Sequence, residues 1–346
     1  MPNVYIIILN WNNYGDTIEC LESMFRLHYS DFRVVVCDNA STDGSIEQIK
    51  AWARGEIAAT VRNRDLAFLS VPPVLKPIPF KEISARHESE SSDSSSARLI
   101  LIRTGANLGF AGGNNVGLRY ALAQQNCEYA WLLNNDTVVD PNALSALVQR
   151  MQQRPDAGIC GSTLLYYDNP KLVQALGGDG YNRWTAYPVP LYLGQNCNDL
   201  PNCDAVESRM KYVVGASMLV RRPFLEQIGL LNEAYFLYYE EIDWATRARG
   251  KYSLAYAPQS IVYHRESGTL GSRRSTACDY YATRSSMLFT MQYFPVACFG
   301  VAVRRLGKSL FRYSKGEKSS ARAVFCGLSD SLRGGRRRQW PIQGRT

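Results

Sequence analysis

Several features that would place the chain in a common protein class are missing from the sequence. The nine cysteines are odd in number and show no repeated CxxC spacing, which argues against a disulfide framework and favours free thiols in a reducing compartment. No basic leader or cleavage site precedes the first apolar run, residues 4–9, so no signal peptide is predicted. The uncharged run 285–303 only just reaches the length of a membrane span, roughly 17–20 residues, and contains Gln292 and Pro295. A cytoplasmic protein is therefore expected.

A standard phosphate-binding loop is also missing. Neither a Walker A loop nor a clean GxGxxG occurs, and LNWNNYGD ends the first strand where a nucleotidyltransferase would have a Gly-rich basic loop. Residues 103–122, RTGANLGFAGGNNVGLRYAL, instead carry five glycines around a predicted helix start. Small residues there let the backbone approach a ligand, and a helix N-terminus attracts anions. Close packing of the helix on the sheet is the alternative explanation of the same glycines.

Positive charge is concentrated at one end of the chain. The 346 residues carry a net charge of +8, but residues 273–346 hold 15 Lys and Arg against 3 Asp and Glu. The rest of the chain holds 24 against 28 and is mildly acidic. This asymmetry indicates that the tail contacts a negatively charged surface, either a membrane or a nucleic acid. The length leaves room for one large domain with an appendage, or for two domains.

Strands and helices alternate along the chain. Residues 4–12 and 32–45 begin as apolar, β-branched runs and end in polar clusters, and residues 16–28 and 46–53 have helical patterns. This alternation is typical of a doubly wound parallel sheet whose central strands are buried on both faces. Further strands are predicted at 99–103, 129–133 and 158–160, together with a strand pair at 211–222 that is broken at Gly215 and a strand, proline turn and second strand at 253–264. Helices are predicted at 141–153 and 223–229.

Two segments break this pattern. Residues 54–97 are rich in Pro, Ser and acidic residues and are predicted to form an insertion or mobile loop, with the part after Ser84 disordered. Residues 168–204 are rich in Gly, Pro and Asn, and irregular loops or short strands are expected there. The scattered aromatics of this segment, which either line an acceptor cleft or pack in the core or at its rim, are Tyr181, Trp184, Tyr187 and Tyr192.

Two polar residues follow predicted strands in a way that suggests a metal site. Asp136 comes directly after the apolar run 129–133, and ligands of open α/β sheets bind at the carboxyl ends of strands. Its carboxylate is a ligand type that Mg²⁺ or Mn²⁺ accepts, with diphosphate oxygens filling other positions. A polar turn before the next helix is the alternative. His264 ends a strand and could complete a metal shell, although a lone histidine is usually structural.

Three carboxylates form the densest functional signal. Glu240, Glu241 and Asp243 follow directly after the aromatic run YFLYY. Apolar surroundings and neighbouring carboxylates both raise the pKa of a carboxyl group. A raised pKa suits a general base that takes a proton from a sugar hydroxyl near neutral pH. A solvated, acidic helix N-terminus is the alternative.

These motifs, in this order, resemble those of inverting family-2 glycosyltransferases with the GT-A fold, especially the rhamnosyltransferase-like branch. The matching residues are LNWNN (9–13), CDNASTDGS (37–45), NLGFAGGNNVG (107–117), LLNNDT (132–137), GASMLVRR (215–222), YYEEIDWATR (238–247) and the pair Pro258 and His264. The resemblance implies an α/β fold with a Rossmann-like, mostly parallel sheet flanked by helices. It implies a GT-A domain at 1–270, with the insertion at about 54–97, and a C-terminal helical basic segment with a flexible end at 271–346.

The resemblance also implies roles for the candidate residues. Glu241 matches the catalytic base best, with Glu240 and Asp243 as close competitors. Asp136 and His264 would be ligands of a divalent metal, Mg²⁺ or Mn²⁺.

At Asn134 the sequence departs from the family, which has the first acid of its metal motif there. An amide is a weaker ligand than a carboxylate, so this substitution weakens divalent binding. The nucleotide-sugar contacts that the resemblance implies are Asn10, Asp38, Asn39, Asn107, Gly109, Phe110, Gly113, Asn114, Asn134 and Asn135.

The implied activity is inverting transfer of a sugar from a nucleotide-diphosphate donor, with dTDP-rhamnose favoured and UDP-sugars open. The acceptor would be a saccharide or a lipid-linked molecule in surface polysaccharide synthesis. A non-catalytic GT-A-like protein that binds sugar or nucleic acid is the alternative, but the intact EEID cluster argues against it. The tail either contacts an anionic membrane, at the inner face of the cell membrane, or packs as two helices on the catalytic domain. A nucleic acid is not the expected partner.

Overall fold

A computed structural model describes residues 1–85, 97–265 and 275–333, together with Trp340. In these ranges thirteen strands form one mixed sheet with helices on both faces. The strands are β1 (Val4–Asn10), β2 (Phe32–Asp38), β3 (Phe80–Ser84), β4 (Leu99–Arg103), β5 (Tyr129–Asn134), β6 (Thr137–Val139), β7 (Ala157–Tyr166), β8 (Asn169–Leu176), β9 (Gly178–Asn182), β10 (Tyr187–Val189), β11 (Tyr212–Val213), β12 (Ser217–Arg221) and β13 (Ser253–His264). The helices are α1 (Tyr14–Met24), α2 (Ser45–Arg54), α3 (Gly109–Ala123), α4 (Ala143–Gln153), α5 (Cys203–Glu207), α6 (Arg222–Ile228), α7 (Glu240–Ala248), α8 (Thr276–Tyr293), α9 (Cys298–Ser314) and α10 (Lys318–Leu332).

The first part of the chain builds the parallel half of the sheet, in the order β3-β4-β2-β1-β5. In β1, Val4, Ile6 and Ile8 lie in the core on one face, and Tyr5 and Ile7 lie in the core on the other. A strand that is buried on both faces must be apolar at every position. The continuous apolar runs therefore identified these strands, and the predicted α/β fold is confirmed.

Beyond β5 the sheet continues in antiparallel strands. β12 lies between β5 and β7 and is antiparallel to both, and β8, β9 and β10 follow outward. Much of the segment 168–204 therefore extends the sheet. β13 is one strand, not two strands around a turn. Its pairing with β7 shifts between Ala257 and Ile261, where Pro258 has no N–H to donate to the ladder.

The segment 54–97 is more ordered than its composition suggested. Its described part contains a 3-10 turn, Arg64–Leu69, and the edge strand β3, which runs parallel to β4. Leu66 and Leu69 are buried against Val138 and Tyr167. A few well-placed apolar side chains and an edge position, where proline is tolerated, are enough to fix it on the domain. The stretch predicted to be disordered falls mainly on residues 86–96, outside the described residues.

The C-terminal segment forms three helices rather than two, α8, α9 and α10. α8 packs on the rest of the protein: Ser285 Oγ donates to the carbonyl oxygens of Tyr235 (3.1 Å) and Leu237 (2.9 Å), and Phe289 is fully buried. The first half of the uncharged run 285–303 is thus core, not membrane surface. No helix in the described part of the chain is long and apolar enough to cross a membrane. The basic end that was predicted to be flexible falls mostly on residues outside the described ones.

Candidate active site

Polar side chains meet where β1 and β2 end. Because the two strands are parallel and in register, Asn10 lies opposite Asp38. Asn10 Nδ2 donates to Asp38 Oδ1 (2.8 Å) and to Ser41 Oγ (3.1 Å), and Thr17 Oγ1 donates to Asn10 Oδ1 (2.8 Å). The backbone N–H of Ser41 donates to Asp38 Oδ2 (3.2 Å). The predicted pair Asn10 and Asp38 is therefore brought together, and its orientation is fixed by hydrogen bonds.

The next predicted residue, Asn39, organises the loop that leads into α3. Its Nδ2 donates to Asn107 Oδ1 (3.0 Å) and to the carbonyl of Gly109 (3.2 Å), and its Oδ1 accepts from the N–H of Leu108 (2.9 Å). Asn107 Oδ1 also accepts from the N–H of Gly109 (3.0 Å). The two asparagines thus hold the loop 107–109 in place beside the end of β2.

The glycines of this region have two different functions. Gly109 has a φ of +73°, and a Cβ there would lie 2.2 Å from the carbonyl oxygen of Phe236, so the loop closely contacts the segment before α7. At Gly113 an added Cβ would lie 2.3 Å from Leu9 Cδ1, so the lack of a side chain there leaves room for Leu9. Asn114 is buried and donates to the carbonyl of Phe110 (2.9 Å). Gly113 and Asn114, which were expected to contact the nucleotide sugar, therefore make packing and hydrogen-bond contacts within the loop and with β1.

Asp136 and His264 lie side by side at the end of β5. His264 is brought there because β13 pairs with β6, with His264 opposite Thr137. His264 Nε2 lies 3.2 Å from Asp136 Oδ1 and 3.4 Å from Asn134 Nδ2. Asn135, also predicted at the pocket, instead donates to Thr17 Oγ1 (3.0 Å) and is buried.

The donor set at this point fits a metal ion that is shared with a phosphate group. The described residues contain no group of three or more His, Cys, Asp and Glu side chains that could hold a metal. Asp136 and His264 provide only two such donors, because Asn134 stands in place of a third. Mg²⁺ is often held by one or two protein carboxylates plus substrate phosphates, with water completing the octahedron. The residues therefore suit an ion held jointly with a diphosphate.

A strained turn positions the carboxylates of α7. Phe236, Tyr238 and Tyr239 have φ values of 66°, 66° and 77°, which for residues other than glycine cost on the order of 1–3 kcal/mol each. The turn is held because the carbonyl of Phe236 accepts from the N–H of Phe110 (2.6 Å). The Tyr239 hydroxyl also donates to the carbonyl of Ala186. Such strain, supported by neighbouring elements, is typical of functional sites.

Asp243 is fully engaged within the protein. It is completely buried, and its Oδ2 pairs with Arg247 Nε at 2.7 Å. Its Oδ1 accepts from the hydroxyls of Tyr293 (2.7 Å) and Tyr235 (3.3 Å). Since both oxygens are occupied and neither reaches solvent, the geometry makes Asp243 a positioning residue for α7 and argues against it as the base.

Glu240 and Glu241 have a different environment. Glu240 is buried, and its Oε2 has no hydrogen-bond partner among the described residues. Burial and the neighbouring Glu241 hold the pKa of Glu240 well above its ordinary value. Glu241 is partly exposed, and desolvation raises its pKa to about 7. Of the three carboxylates, Glu241 alone combines access to a ligand with a pKa near neutrality.

α7 and the turn that carries Asp136 both contact the chain from β11 to the start of β12. α7 packs against β11. The pKa of the Tyr212 hydroxyl of β11 is raised by burial and, to a smaller extent, by nearby charges that include Glu241. Four residues later, the carbonyl of Ala216 accepts from the N–H of Asn134 (3.0 Å). Gly215 lies between Tyr212 and Ala216, and a Cβ added to it would lie 3.6 Å from the Phe110 ring. The glycine-rich loop, the Asn134–Asp136 turn and the start of α7 therefore converge here.

A family comparison agrees with this arrangement. Residues 5–67 and 81–206 match the glycosyl transferase family 2 model, which is more than half of the chain. The chain belongs to glycosyl transferase family 2. The gap in the match, 68–80, falls within the predicted insertion, while Glu241 and His264 lie beyond the matched residues.

Two curated relatives illustrate the range of this glycosyltransferase family. A low-salt glycan biosynthesis hexosyltransferase of Haloferax volcanii is 30% identical over 148 residues, which are 43% of this chain and 45% of the relative. An N-acetylglucosaminyl-diphospho-decaprenol L-rhamnosyltransferase of Mycobacterium tuberculosis is 24% identical over 189 residues, 49% of this chain and 60% of the relative. The chain thus spans about half the length of the curated relatives it matches.

Solved structures show the same fold. A mannosyltransferase of Pyrobaculum calidifontis, in complex with GDP-Man and Mn²⁺, has a TM-score of 0.52 and 14% identity, covering 96% of this chain and 87% of that chain. GalNAc-T7, solved with UDP, GalNAc and Mn²⁺, has a TM-score of 0.58 and 12% identity, covering 96% and 58%. At these identities the likeness shows the fold alone, which is the GT-A fold.

The sequence did not point to three residues at the site of this family-2 chain. Arg247 lies four positions after Asp243, and this helical spacing was a usable signal. Gln174, which contacts His264, comes from a segment expected to be irregular. Tyr293, which contacts Asp243, comes from the C-terminal segment that was assigned outside the GT-A domain. Neither contact is visible without the tertiary structure.

Proposed function

We propose that the chain is an inverting glycosyltransferase that moves a sugar from a nucleotide-diphosphate donor to a hydroxyl group of a saccharide or lipid-linked acceptor. The observation that carries the proposal is Glu241, a partly exposed carboxyl with a pKa of about 7 at the sheet edge where Asp136 and His264 meet. The rhamnosyltransferase among the relatives supports dTDP-rhamnose as the favoured donor. UDP-sugars remain candidates.

Glu241 removes the acceptor proton as the acceptor oxygen attacks the anomeric carbon. The nucleotide diphosphate leaves from the opposite face, and one displacement inverts the anomeric centre. General-base assistance contributes ~10²–10⁴-fold to the rate. Burial and the neighbouring Glu241 raise the pKa of Glu240, which disfavours a second negative charge beside the base. Asp243 and Arg247 hold the helix that carries both residues.

Asp136 and His264 would hold a Mg²⁺ or Mn²⁺ ion together with oxygens of the donor diphosphate. Bound there, such an ion would supply Lewis-acid stabilisation of the charge on the leaving diphosphate. The Mn²⁺ in the solved mannosyltransferase supports this assignment.

A cavity beside α7 is a candidate acceptor subsite, although Glu241, Asp136 and His264 are not among the residues that line it. Ile242 and Thr246 of α7 line one wall, and Tyr181 and Trp184 line another. Trp184 is 56% exposed, and aromatic faces of this kind stack on the apolar faces of sugars. Of the four aromatics that the sequence singled out, Tyr181 and Trp184 are therefore the acceptor candidates. The other two aromatics have different contacts. Tyr192 is buried in the core, and the ring of Tyr187 packs on the guanidinium of Arg305.

The decisive experiment incubates the purified protein with dTDP-rhamnose, UDP-sugars and GDP-mannose, each with and without Mn²⁺, in the presence of candidate acceptors. We expect metal-dependent thermal stabilisation by one donor and a product whose anomeric configuration is inverted, as measured by NMR. Retention of configuration would contradict the proposal. Donor binding without transfer or hydrolysis would support the second candidate, a non-catalytic binding protein. The observation behind this candidate is Asn134, an amide in place of the first acid of the metal motif.

The relatives' names also support a role in glycan biosynthesis. We place that role in the synthesis of a surface polysaccharide on the cytoplasmic side of the membrane.

A further inference from the structure

Helix α9 has one face in the protein and one face with no partner among the described residues. Val301, Arg305 and Ser309, spaced four apart, are buried. Arg305 Nη2 donates to the carbonyl of Ala186 (2.9 Å), and its guanidinium lies 4.1 Å from the centre of the Tyr187 ring. This face fixes α9 against the β9–β10 hairpin, close to the proposed acceptor cavity.

A different face of α9 carries an exposed row of large apolar side chains, which we call the apolar stripe. Its members are spaced four, three, four and three residues apart, so they share one face of the helix. They are Phe299 (82% exposed), Val303 (53%), Leu306 (41%), Leu310 (63%) and Tyr313 (62%). Val296, 86% exposed, extends the row just before the helix. A contiguous exposed apolar surface of this kind marks a contact with a partner or a membrane.

The cations around the stripe divide into two groups. Lys308 and Arg312 pair with Asp279 at 2.8 and 3.3 Å, so they are not free to bind another surface, contrary to what the sequence suggested. The exposed cations of α9 and α10 for which the described residues show no ion pair are Arg304, Lys315, Lys318, Arg322 and Arg333. The one exposed carboxylate in the described part of these helices, Glu317, pairs with Arg312. The C-terminal segment that carries the stripe is basic as a whole, with 15 Lys and Arg against 3 Asp and Glu in residues 273–346.

We propose that the apolar stripe of α9 docks on the surface of an anionic lipid bilayer, with the helix lying in the interface. α9 has 17 residues and is ~26 Å long at 1.5 Å per residue, and its charged residues include Arg304, which is exposed. Such a helix does not cross a bilayer. A large apolar face combined with Lys and Arg is the composition that binds at the boundary between headgroups and acyl chains.

A second copy of this chain is the competing occupant, because the spacing of the stripe also suits helix pairing. Charge favours the lipid surface. Pairing two copies would bring two cationic surfaces together, whereas anionic lipids attract them. The docking inference does not depend on the transfer reaction.

Docking has a consequence that does rest on the proposed function. Phe294 lines the cavity beside α7 and lies two residues before Val296 and five before Phe299. Seating the stripe on a bilayer therefore brings the cavity to the membrane surface, where it could receive the sugar of a lipid-linked acceptor.

The test is flotation of the full-length protein with vesicles of phosphatidylcholine, with and without phosphatidylglycerol. The stripe variant carries Phe299→Gln, Val303→Gln and Leu310→Gln. A control variant, Phe68→Gln with Leu75→Gln, changes two exposed apolar residues that are far from α9 in the sequence and are 63% and 94% exposed. All substituted residues are exposed, and thermal unfolding verifies that both variants are folded.

We expect binding to anionic vesicles, with affinity reduced about tenfold or more in the stripe variant and unchanged in the control. Equal loss in the control, or no binding of the unmodified protein to anionic vesicles, overturns the proposal. A dimer that light scattering detects, and that the stripe variant converts to monomer while vesicles retain neither, also overturns it in favour of a contact between copies. If vesicle binding fails while transfer to a soluble acceptor persists, the docking proposal is rejected and the proposed transfer function stands.

Discussion

Gln174 accepts a hydrogen bond from His264: its Oε1 lies 2.8 Å from Nδ1 of the imidazole. An amide oxygen is only an acceptor, so Nδ1 carries a proton, and in the neutral imidazole this leaves the lone pair on Nε2. Nε2 is the nitrogen that faces Asp136 at 3.2 Å. Gln174 thus fixes the tautomer that a metal ligand needs, as partners of ligating histidines commonly do.

Replacing Gln174 with leucine should weaken the response to metal. In Gln174→Leu we expect the affinity for Mn²⁺, titrated in the presence of saturating donor and followed by thermal stabilisation, to fall by about 10–100-fold. Gln152→Leu, on the exposed face of α4, is the matched control and should behave like the unmodified protein. An unchanged Mn²⁺ affinity in Gln174→Leu would mean that His264 is not a metal ligand.

Glu241→Gln should abolish the base while keeping the shape of the side chain. We expect kcat to fall by ~10²–10⁴-fold with donor affinity unchanged, as measured by transfer rates and by calorimetry. Glu226→Gln, an exposed partner of Arg222, controls for the loss of a surface carboxylate. Asp243→Asn should mainly reduce stability, because it weakens a buried ion pair. Full activity in Glu241→Gln together with loss in folded Asp243→Asn would show that the base was misassigned.

The raised pKa of Glu241 predicts opposite effects of pH on activity and on stability. The base must be deprotonated, so kcat/KM should rise with pH up to about 7 and then level off. Between pH 4.5, its ordinary pKa, and about 7, the folded protein binds more protons than the unfolded chain, so the free energy of unfolding falls as pH rises. Glu240 acts in the same direction.

This sign can be checked with the same variant. Glu241→Gln removes the partly buried charge, so above about pH 8 its unfolding free energy should exceed that of the unmodified protein, by about 1–3 kcal/mol. Denaturant unfolding at several pH values measures the difference. A variant that is less stable than the unmodified protein at high pH would contradict the raised pKa.

Gly109→Ala should disrupt the contact between the glycine-rich loop and the aromatic turn. A methyl group there would lie 2.2 Å from the carbonyl oxygen of Phe236 and would also require a left-handed backbone. Gly194→Ala isolates the second effect, because Gly194 has a φ of +78° with nothing within 4 Å. We expect about 1 kcal/mol of destabilisation at Gly194 and a larger loss at Gly109, accompanied by weaker donor binding. Equal losses would show that the Phe236 contact is unimportant.

The sequence identified the strands and helices of the parallel half because periodicity is a local property. Strands that are buried on both faces must be apolar throughout, so β1, β2, β4 and β5 were readable from their residues. The polar residues that end these strands could be placed at one edge for the same reason, since parallel strands end together. The meeting of Asn10 with Asp38 follows from this register.

Contacts between distant segments were not readable. Asp136 and His264 were proposed as metal ligands from their positions after predicted strands and from the family resemblance, but the partner of His264, Gln174, was not anticipated. The roles of Gly109 and Gly113 differ although both lie in one glycine-rich stretch, because one faces Phe236 and the other faces Leu9. Local sequence does not encode which neighbour a glycine meets.

The sequence by itself determined the α/β class, the family and the set of ionisable residues from which the site is built. The tertiary structure decided which of the three carboxylates is available, because Tyr235, Arg247 and Tyr293 occupy Asp243 whereas burial leaves Glu241 with a pKa near neutrality. It also decided which face of α9 stays exposed. Burial and pairing depend on side chains brought together from remote parts of the chain, and these properties exist only once the chain has folded.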